Sequence, residues 1–319
     1  MTLRRRRAAL FLAGAAALTC GALPAGWQGR TRFYVTSVAS SLVSEGLATP
    51  APSGAEAAAF QRVPAPGVQF KPNVARATNV AWIDSNGWRF QRGIRKANYA
   101  KLPAGAAPLA AAEAFAFDVD AILNPDPGDV KDLGQILRFL NANDQPSLPL
   151  MANIGIIDDG SPRMAELLNL LTRRNLLYRI VSTRDPALDL TIQLGTKEFP
   201  SEAAANPYEF AAMVRAKLGD DKRLVRLYGT DTVIARLTGD RTRARLYLLS
   251  YAGRRRQQQR GNPQAIRVRV LGNYQPAKLA AYDAEPDAAM TDIRNTSTAT
   301  EFWVPDFNVV AIIDLNGVK

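Results

Sequence analysis

The sequence has no histidine and only one cysteine, Cys20, among its 319 residues. These absences exclude Ser-His-Asp and Cys-His catalysis, acid–base chemistry by imidazole, zinc sites of histidine and cysteine, and an internal disulfide. Neither a GxGxxG segment nor a lysine-containing phosphate loop occurs. No cofactor and no metal are expected. If the protein is an enzyme, a carboxylate pair is the best catalytic device that remains.

Acidic residues are outnumbered, because 29 Asp and Glu accompany 40 Lys and Arg and give a net charge of +11. Part of this excess lies in the first 30 residues, which contain Arg4 to Arg7 and Arg30 but no acid. A positive charge favours contact with nucleic acid, acidic polysaccharide or lipid headgroups. The sequence lacks a basic stripe interleaved with aromatic residues, so no nucleic-acid partner is expected.

Residues 1–30 have the pattern of an export signal. Four arginines precede an apolar run from Ala8 to Leu18, and small residues follow around Cys20. The run is too short to span a membrane stably, so we expect a periplasmic or extracellular protein. The alternatives are an uncleaved N-terminal segment that contacts the membrane and lipidation at Cys20. Residues 31–78 are rich in Ala, Pro and Ser, which predicts a flexible linker.

Strand-like and helix-like segments alternate over 79–222, which predicts an α/β domain with a flavodoxin-like, mostly parallel sheet. Apolar spacing and composition predict helices at 106–117, 129–140 and 203–218. The segment SNGWRFQRG is expected to be a turn, since it contains Asn86-Gly87. From residue 223 to 319 the apolar period becomes two, and seven short runs predict an antiparallel β-sandwich.

The stretch 151–171 organises the α/β domain. It contains an apolar strand at 153–157, a turn at Asp158-Asp159-Gly160, and a helix for which Ser161 is a suitable N-cap. Open α/β sheets bind ligands at the carboxyl ends of their strands, which makes Asp158 and Asp159 candidate ligand-binding residues. Turn chemistry and helix capping are the alternative explanation of both aspartates.

These two modules together resemble the C-terminal part of β-galactosidase-type multidomain glycoside hydrolases. The resemblance covers about 79–315 and depends on NIGIIDDGSPRMAELLNLL with LYRIVS and LDLTI, then on VRLYGTDTVIARLTGDRTRARLYLLSYA with IRVRVLGNY. In that family a flavodoxin-like or amidotransferase-like domain and a terminal β-sandwich follow a catalytic barrel. The resemblance implies a carbohydrate-active protein. It assigns no catalytic residue, because the family's carboxylates belong to the barrel, and the stretch before residue 79 is too short for one.

The segment AWIDSNGWRF contains the densest group of polar and aromatic residues. Tryptophan rings stack on sugars, and Asp, Asn and Arg side chains bind hydroxyl groups, so the candidate ligand-binding residues include Trp82, Asn86, Trp88 and Arg89. Strand alternation predicts that Trp82 and Asp84 share a face. The alternative is a core tryptophan beside a turn.

Glu113 is an acid within the apolar helical segment AAAEAFAF. A solvent-facing position is favoured for it; burial would instead stabilise the protonated form that a general acid requires. Asp84 and Glu113 are the candidate catalytic pair.

Three functions follow from these features. The leading hypothesis is an exported protein that binds a poly- or oligosaccharide, or assists a glycoside hydrolase, without a complete catalytic barrel. The second is a glycosidase that uses Asp84 and Glu113. The third is a structural module that binds another envelope protein.

Overall fold

The computed structural model describes residues 30–73, 78–252 and 266–318. All of the predicted export signal except Arg30, and with it Cys20, lies outside these residues. In the ranges given, no helix has both the length and the mean hydropathy that a membrane crossing requires.

The described chain contains strands, α-helices and short 3-10 turns. The strands are β1 (Phe33–Val35), β2 (Thr49–Pro50), β3 (Gln61–Arg62), β4 (Gly67–Asn73), β5 (Thr78–Asp84), β6 (Lys96–Tyr99), β7 (Asp120–Leu123), β8 (Ile154–Ile157), β9 (Tyr178–Val181), β10 (Leu190–Ile192), β11 (Val225–Tyr228), β12 (Val233–Gly239), β13 (Arg243–Ser250), β14 (Ile266–Leu271), β15 (Tyr274–Ala281), β16 (Thr291–Asn295), β17 (Ala299–Val304) and β18 (Val310–Gly317). The helices are α1 (Ser40–Ser44), α2 (Gly54–Ala58), α3 (Gly87–Gln91), α4 (Ala107–Ala116), α5 (Val130–Ala142), α6 (Pro162–Arg173) and α7 (Pro207–Leu218). The 3-10 turns are Ser37–Ala39, Pro127–Asp129, Ser201–Ala205 and Asp220–Lys222.

The parallel strands form two separate sheets. One has the order β2-β1-β7-β6-β3, and the other has the order β10-β8-β9. Within the part of the chain that the structure describes, strands β4 and β5 pair only with each other, as an antiparallel ribbon. The remaining strands form two four-stranded antiparallel sheets, with the orders β12-β13-β18-β15 and β11-β14-β17-β16. The predicted class, a mostly parallel α/β region followed by an antiparallel β-sandwich, is confirmed.

Helix α6 shows how closely the local sequence determines this part of the fold. It begins at Pro162, and the Ser161 hydroxyl accepts a hydrogen bond from the Met164 backbone N–H at 3.1 Å. The side chains of Leu167 and Leu171, one turn apart, are buried against the three-stranded sheet and α7. The N-cap and the apolar stripe are those that the sequence predicts.

The prediction of a flexible linker over 31–78 is wrong for the described part of that range. Strand β1 lies inside the five-stranded parallel sheet, between β2 and β7. Phe33 and Val35 are buried in the main core, and Tyr34 packs edge-on against Phe60 on the other face, with ring centroids 5.3 Å apart. Composition misled here because a three-residue buried strand contributes few apolar residues to a long stretch of Ala, Pro and Ser.

The turn predicted around Asn86-Gly87 is also wrong, since α3 begins there. Asn86 has φ −92° and ψ −3°, whereas the tight hairpin turn typical of Asn-Gly requires a positive φ. Glycine is needed at position 87 for a different reason. A Cβ at Gly87 would lie 2.5 Å from Cζ of Phe117, so the ring packs directly on the backbone.

Helix α4 is enclosed between the parallel sheet and the sandwich, and all ten of its residues are buried. It contacts β7 on one side and β13 on the other. Its sequence, APLAAAEAFA, consists mostly of alanine, and the short side chains let both sheets approach closely. The favoured solvent-facing position for Glu113 is therefore wrong, because its residue exposure is 0%.

The sandwich sheet next to α4 is covered on both faces. Ile234 and Leu249 belong to the core around α4, whereas Leu246 and Leu248 belong to the core between the two sandwich sheets. Alternate residues of β12 and β13 thus pack into two different cores, one on each face of the sheet. This explains why β12 and most of β13 are buried.

Phe33→Ala tests whether the segment predicted to be a linker belongs to the core. We expect a loss of about 3–5 kcal/mol in the free energy of unfolding, because truncation of a buried phenylalanine leaves a cavity. Val38→Ala is the matched control; Val38 is 46% exposed, and we expect a change within about 0.5 kcal/mol. Urea denaturation measures both, and equal effects of the two substitutions would contradict the assignment.

Candidate functional site

An open cleft of about 880 Å³ lies between β5, α6, α7 and the strands β11 and β12. Apolar side chains line part of it, among them Leu170, Ala211 and Leu227. Strand β5 contributes Trp82, the end of α6 contributes Arg173 and Arg174, and the start of α7 contributes Tyr208. The cleft thus has an apolar lining with aromatic and basic side chains around it.

The pairing of β5 with β4 directs Trp82 into this cleft. Trp82 lies opposite Gln69 in the ribbon, and its neighbours Ala81 and Ile83 are buried while Trp82 is 40% exposed. Asp84 accepts a hydrogen bond from Gln69 Nε2 at 2.9 Å. Since the residue opposite Trp82 reaches Asp84, Trp82 and Asp84 share a face, as strand alternation predicts.

Each exposed aromatic ring of the cleft has an arginine over it. The guanidinium carbon of Arg173 is 3.9 Å from the Trp82 ring centroid, and that of Arg174 is 4.6 Å from the Tyr208 centroid. Tyr208 is 57% exposed. Distances below 6 Å give a favourable cation–π interaction, which holds both guanidinium groups beside rings that keep accessible surface.

The arginines of the cleft differ in how they are neutralised. Arg215 binds Asp220 through two nitrogens, at 2.7 and 2.6 Å, and Arg223 lies 3.5 Å from the same carboxylate. Within residues 30–73, 78–252 and 266–318, no ion pair involves Arg173 or Arg174. Burial, and then the adjacent charge of Arg174, lower the pKa of Arg173 to about 10. The Asp84 carboxylate opposes this lowering of the pKa but forms no ion pair with Arg173, which remains charged at neutral pH.

Glu113 occupies a different place, inside the core. Its carboxylate accepts hydrogen bonds from the Ser85 hydroxyl at 2.8 Å, the Asn86 backbone N–H at 2.7 Å and the Asn86 side-chain amide at 3.1 Å. The phenols of Tyr99 and Tyr251 donate to it as well, at 3.1 and 2.6 Å. Both carboxylate oxygens are therefore occupied by groups of the protein itself.

The two tyrosines of this network are held in the neutral, donating form. Burial, and then the nearby Glu113 carboxylate, raise the pKa of Tyr99 and of Tyr251 well above the usual range of a phenol. Tyr251 follows the last residue of β13, so its hydroxyl links the sandwich to the connection between β5 and α3. The buried hydrogen bonds around Glu113 therefore connect the α/β region to the sandwich, which is a structural role.

The residues predicted to be catalytic or ligand-binding lie in several places. Asn86 is buried, with its amide nitrogen donating to Pro64 O and Glu113 and its oxygen accepting from Arg89. Trp88 is half-buried against the core of α6 and α7, and the Arg89 guanidinium lies 4.2 Å from its ring centroid. None of Asn86, Trp88 and Arg89 lines the cleft.

Asp158 and Asp159 serve the turn between β8 and α6. Asp158 binds Arg92 through two hydrogen bonds, at 2.6 and 2.7 Å, and its carboxylate accepts from the Gly160 N–H. Asp159 accepts from the Ser161 N–H at 2.8 Å. Turn chemistry and one ion pair account for every contact of these two carboxylates, and neither lines the cleft.

Of the residues singled out in the sequence, Trp82 alone lines the cleft. The partners that the sequence did not reveal are Arg173, Arg174, Tyr208 and Arg223. The only signal was the Arg-Arg pair at the end of a predicted helix, where cations ordinarily balance the helix dipole. Among the described residues, no group of three or more acidic or cysteine side chains is arranged to hold a metal ion.

No family model and no curated protein matches this chain. Among solved structures, the α-L-fucosidase isoenzyme 2 from Paenibacillus thiaminolyticus has a similar fold, with a TM-score of 0.50 and 8% sequence identity. The match covers 68% of this chain and 59% of the fucosidase chain, so less than two thirds of that enzyme is spanned. The predicted resemblance to glycoside hydrolases is supported at the level of the fold.

Tyr251→Phe tests whether the hydrogen bonds around Glu113 stabilise the fold. Removal of the hydroxyl takes one donor from a buried carboxylate, so we expect the free energy of unfolding to fall by about 2 kcal/mol. Tyr208→Phe is the matched control, because it removes a hydroxyl from a largely exposed ring. Chemical denaturation compares the two proteins. A loss no greater than that of the control would show that the Tyr251 contact does not stabilise the fold.

Asp158→Asn tests whether Asp158 is structural. The hydrogen bonds from Arg92 lower the pKa of the Asp158 carboxyl, followed by the Gly160 N–H. A lowered pKa in the folded state gives stability that is present above the pKa of an unfolded aspartate, about 4, and is lost as the pH falls through the folded value.

We therefore expect Asp158→Asn to cost about 1–2 kcal/mol at neutral pH, with the difference from the wild type shrinking in acid. Asp159→Asn is the control, because asparagine also accepts from the Ser161 N–H. Denaturation curves at several pH values measure both, and a cost for Asp158→Asn that is independent of pH would exclude the Arg92 pair as its cause.

Proposed function

We propose that this chain is an exported carbohydrate-binding protein and that its sugar site is the cleft around Trp82 and Tyr208. The observation that supports it most is the pair of exposed aromatic rings beside an apolar wall. Aromatic rings supply large, rigid surfaces with an apolar face, and sugar rings present apolar C–H faces to such surfaces.

Polar groups beside the rings supply the other half of a sugar site. Asn169, Arg173 and Arg223 line the cleft, and each has a buried polar atom without a hydrogen-bond partner: Asn169 Oδ1, Arg173 Nε and Arg223 Nε. Because these three atoms are covered by protein, a ligand would contact the remaining amide and guanidinium nitrogens of the same side chains. A few convergent polar groups within an apolar concave surface are typical of small-molecule sites.

The proposal contains no hydrolytic step. The predicted pair does not assemble in the cleft, since Glu113 is enclosed in the core and Asp84 is not part of the lining. The similar fold of an α-L-fucosidase supports a carbohydrate-active role. A binding or accessory function, in which another protein performs the hydrolysis, agrees with both observations.

Trp82→Ala and Tyr208→Ala test the site on the purified protein. A glycan array first identifies bound sugars, and calorimetry then measures their affinity. We expect either substitution to weaken binding about tenfold, because each removes one stacking surface. Tyr228→Ala is the matched control; Tyr228 is 37% exposed with Arg226 over its ring, and it lies outside the lining of the cleft.

A blank array with a folded protein would contradict the proposal and would favour the assembly-module alternative. Unchanged affinity in both variants, with sugar still bound, would place the sugar site elsewhere. Release of free sugar from the bound glycan would instead revive the glycosidase alternative.

A further inference from the structure

The cleft carries more positive charge than its own acids offset. Its lining contains Arg173, Arg174, Arg215 and Arg223 but only two acids, Glu166 and Asp231. Asp220 neutralises Arg215 and also lies within 4.0 Å of Arg223 and Arg226. The two arginines of the lining that form no ion pair within the described residues, Arg173 and Arg174, are adjacent at the end of α6.

Two other arginines, Arg92 and Arg245, have a carboxylate partner, whereas Arg236 is buried over the Phe117 ring and forms no ion pair within the described residues. Arg92 pairs with Asp158 and Arg245 with Asp314, each through two hydrogen bonds. Arg173 forms no ion pair within the described residues: burial and the charge of Arg174 lower its pKa, and the charge of Asp84 raises it by less. Its Nη2 donates to Ala81 O at 3.4 Å, while its Nε is buried without an acceptor.

We infer that the cleft binds an oligosaccharide whose pyranose ring carries an anionic group, a carboxylate or a sulfate, that Arg173 and Arg174 neutralise. This inference rests on the proposed function and names the class of sugar. The guanidinium fork matches the oxygens of either group and binds them with charge-assisted hydrogen bonds. The Trp82 and Tyr208 rings beside the two arginines would contact the sugar ring that carries the charge.

The same surface fits a nucleic acid less well. Proteins that bind single strands without sequence preference use a basic groove that follows many phosphates, with a series of stacking rings. Here the cations without an ion pair among the described residues are two neighbouring arginines, and the lining also contains Asp231 and Glu166, whose charges would repel phosphates. A single anionic substituent on a compact ring suits this arrangement better than a polyanion.

The test compares sugars that differ only in charge. Calorimetry measures the affinity of the purified protein for an oligogalacturonate and for its methyl ester, and for sulfated and desulfated galactan oligosaccharides. Esterification removes the charge of the carboxylate in the first pair, and desulfation removes the sulfate in the second. The two comparisons therefore show which anion the cleft binds. We expect the preferred anionic form to bind at least about tenfold more tightly than its neutral counterpart, as charge-assisted hydrogen bonds predict.

Charge-removing variants then locate the contact. Arg173→Gln and Arg174→Gln should each weaken binding of the anionic sugar about tenfold and weaken binding of the neutral sugar much less, because glutamine keeps a polar contact to hydroxyl groups but not the charge. Arg174→Lys keeps the charge and should restore part of the affinity. Arg184→Gln is the matched control, since Arg184 is exposed and lies outside the cleft.

Each other outcome has a definite meaning. Equal affinity for the charged and neutral sugars would overturn the inference while the proposed function stands. Failure of every sugar to bind would overturn both. A single-stranded oligonucleotide that competes for the site as effectively as the anionic sugar would show a general polyanion site. That result would also overturn the inference.

Discussion

The close packing of α4 between two sheets is the constraint on which the rest of the structure depends. All ten residues of this helix are buried, and most are alanines. Short side chains bring β7 and β13 near the same helix, so the parallel sheet and the sandwich share one core. A larger side chain on either face of α4 would push a sheet away, because protein interiors have little free volume to absorb it.

Within that helix, the side chain of Glu113 holds the surrounding strand ends through hydrogen bonds. Burial of a carboxyl group is costly unless donors surround it, and the donors to Glu113 come from Ser85, Asn86, Tyr99 and Tyr251. These residues follow β5, end β6 and follow β13. The group that resembled a catalytic acid in the sequence thus holds three strand ends in place, with a geometry that leaves no oxygen open to a substrate.

The sequence predicted the elements whose signals are local. The Ser161 cap, the stripe of α6 and the alternating strands of the sandwich all depend on near neighbours in the chain. The prediction failed where tertiary packing decided the outcome. Phe33 is buried only because β2 and β7 flank it, and α3 replaced a turn because Asn86 bonds to Glu113. For the cleft, strand alternation indicated Trp82, but no sequence rule places Arg173, 91 residues later, on its ring.

Arg173 and Arg174 place two adjacent positive charges at the edge of the cleft. Burial of Arg173, and then the like charge of the exposed Arg174 beside it, lower the pKa of Arg173. The dipole at the end of α6 and the rings of Trp82 and Tyr208 offset part of this cost. The fold neutralises buried Arg245 with the Asp314 carboxylate, whereas buried Arg236 lies over the Phe117 ring without an ion pair among the described residues. A charge left unneutralised beside open volume is an arrangement that an anionic ligand would stabilise.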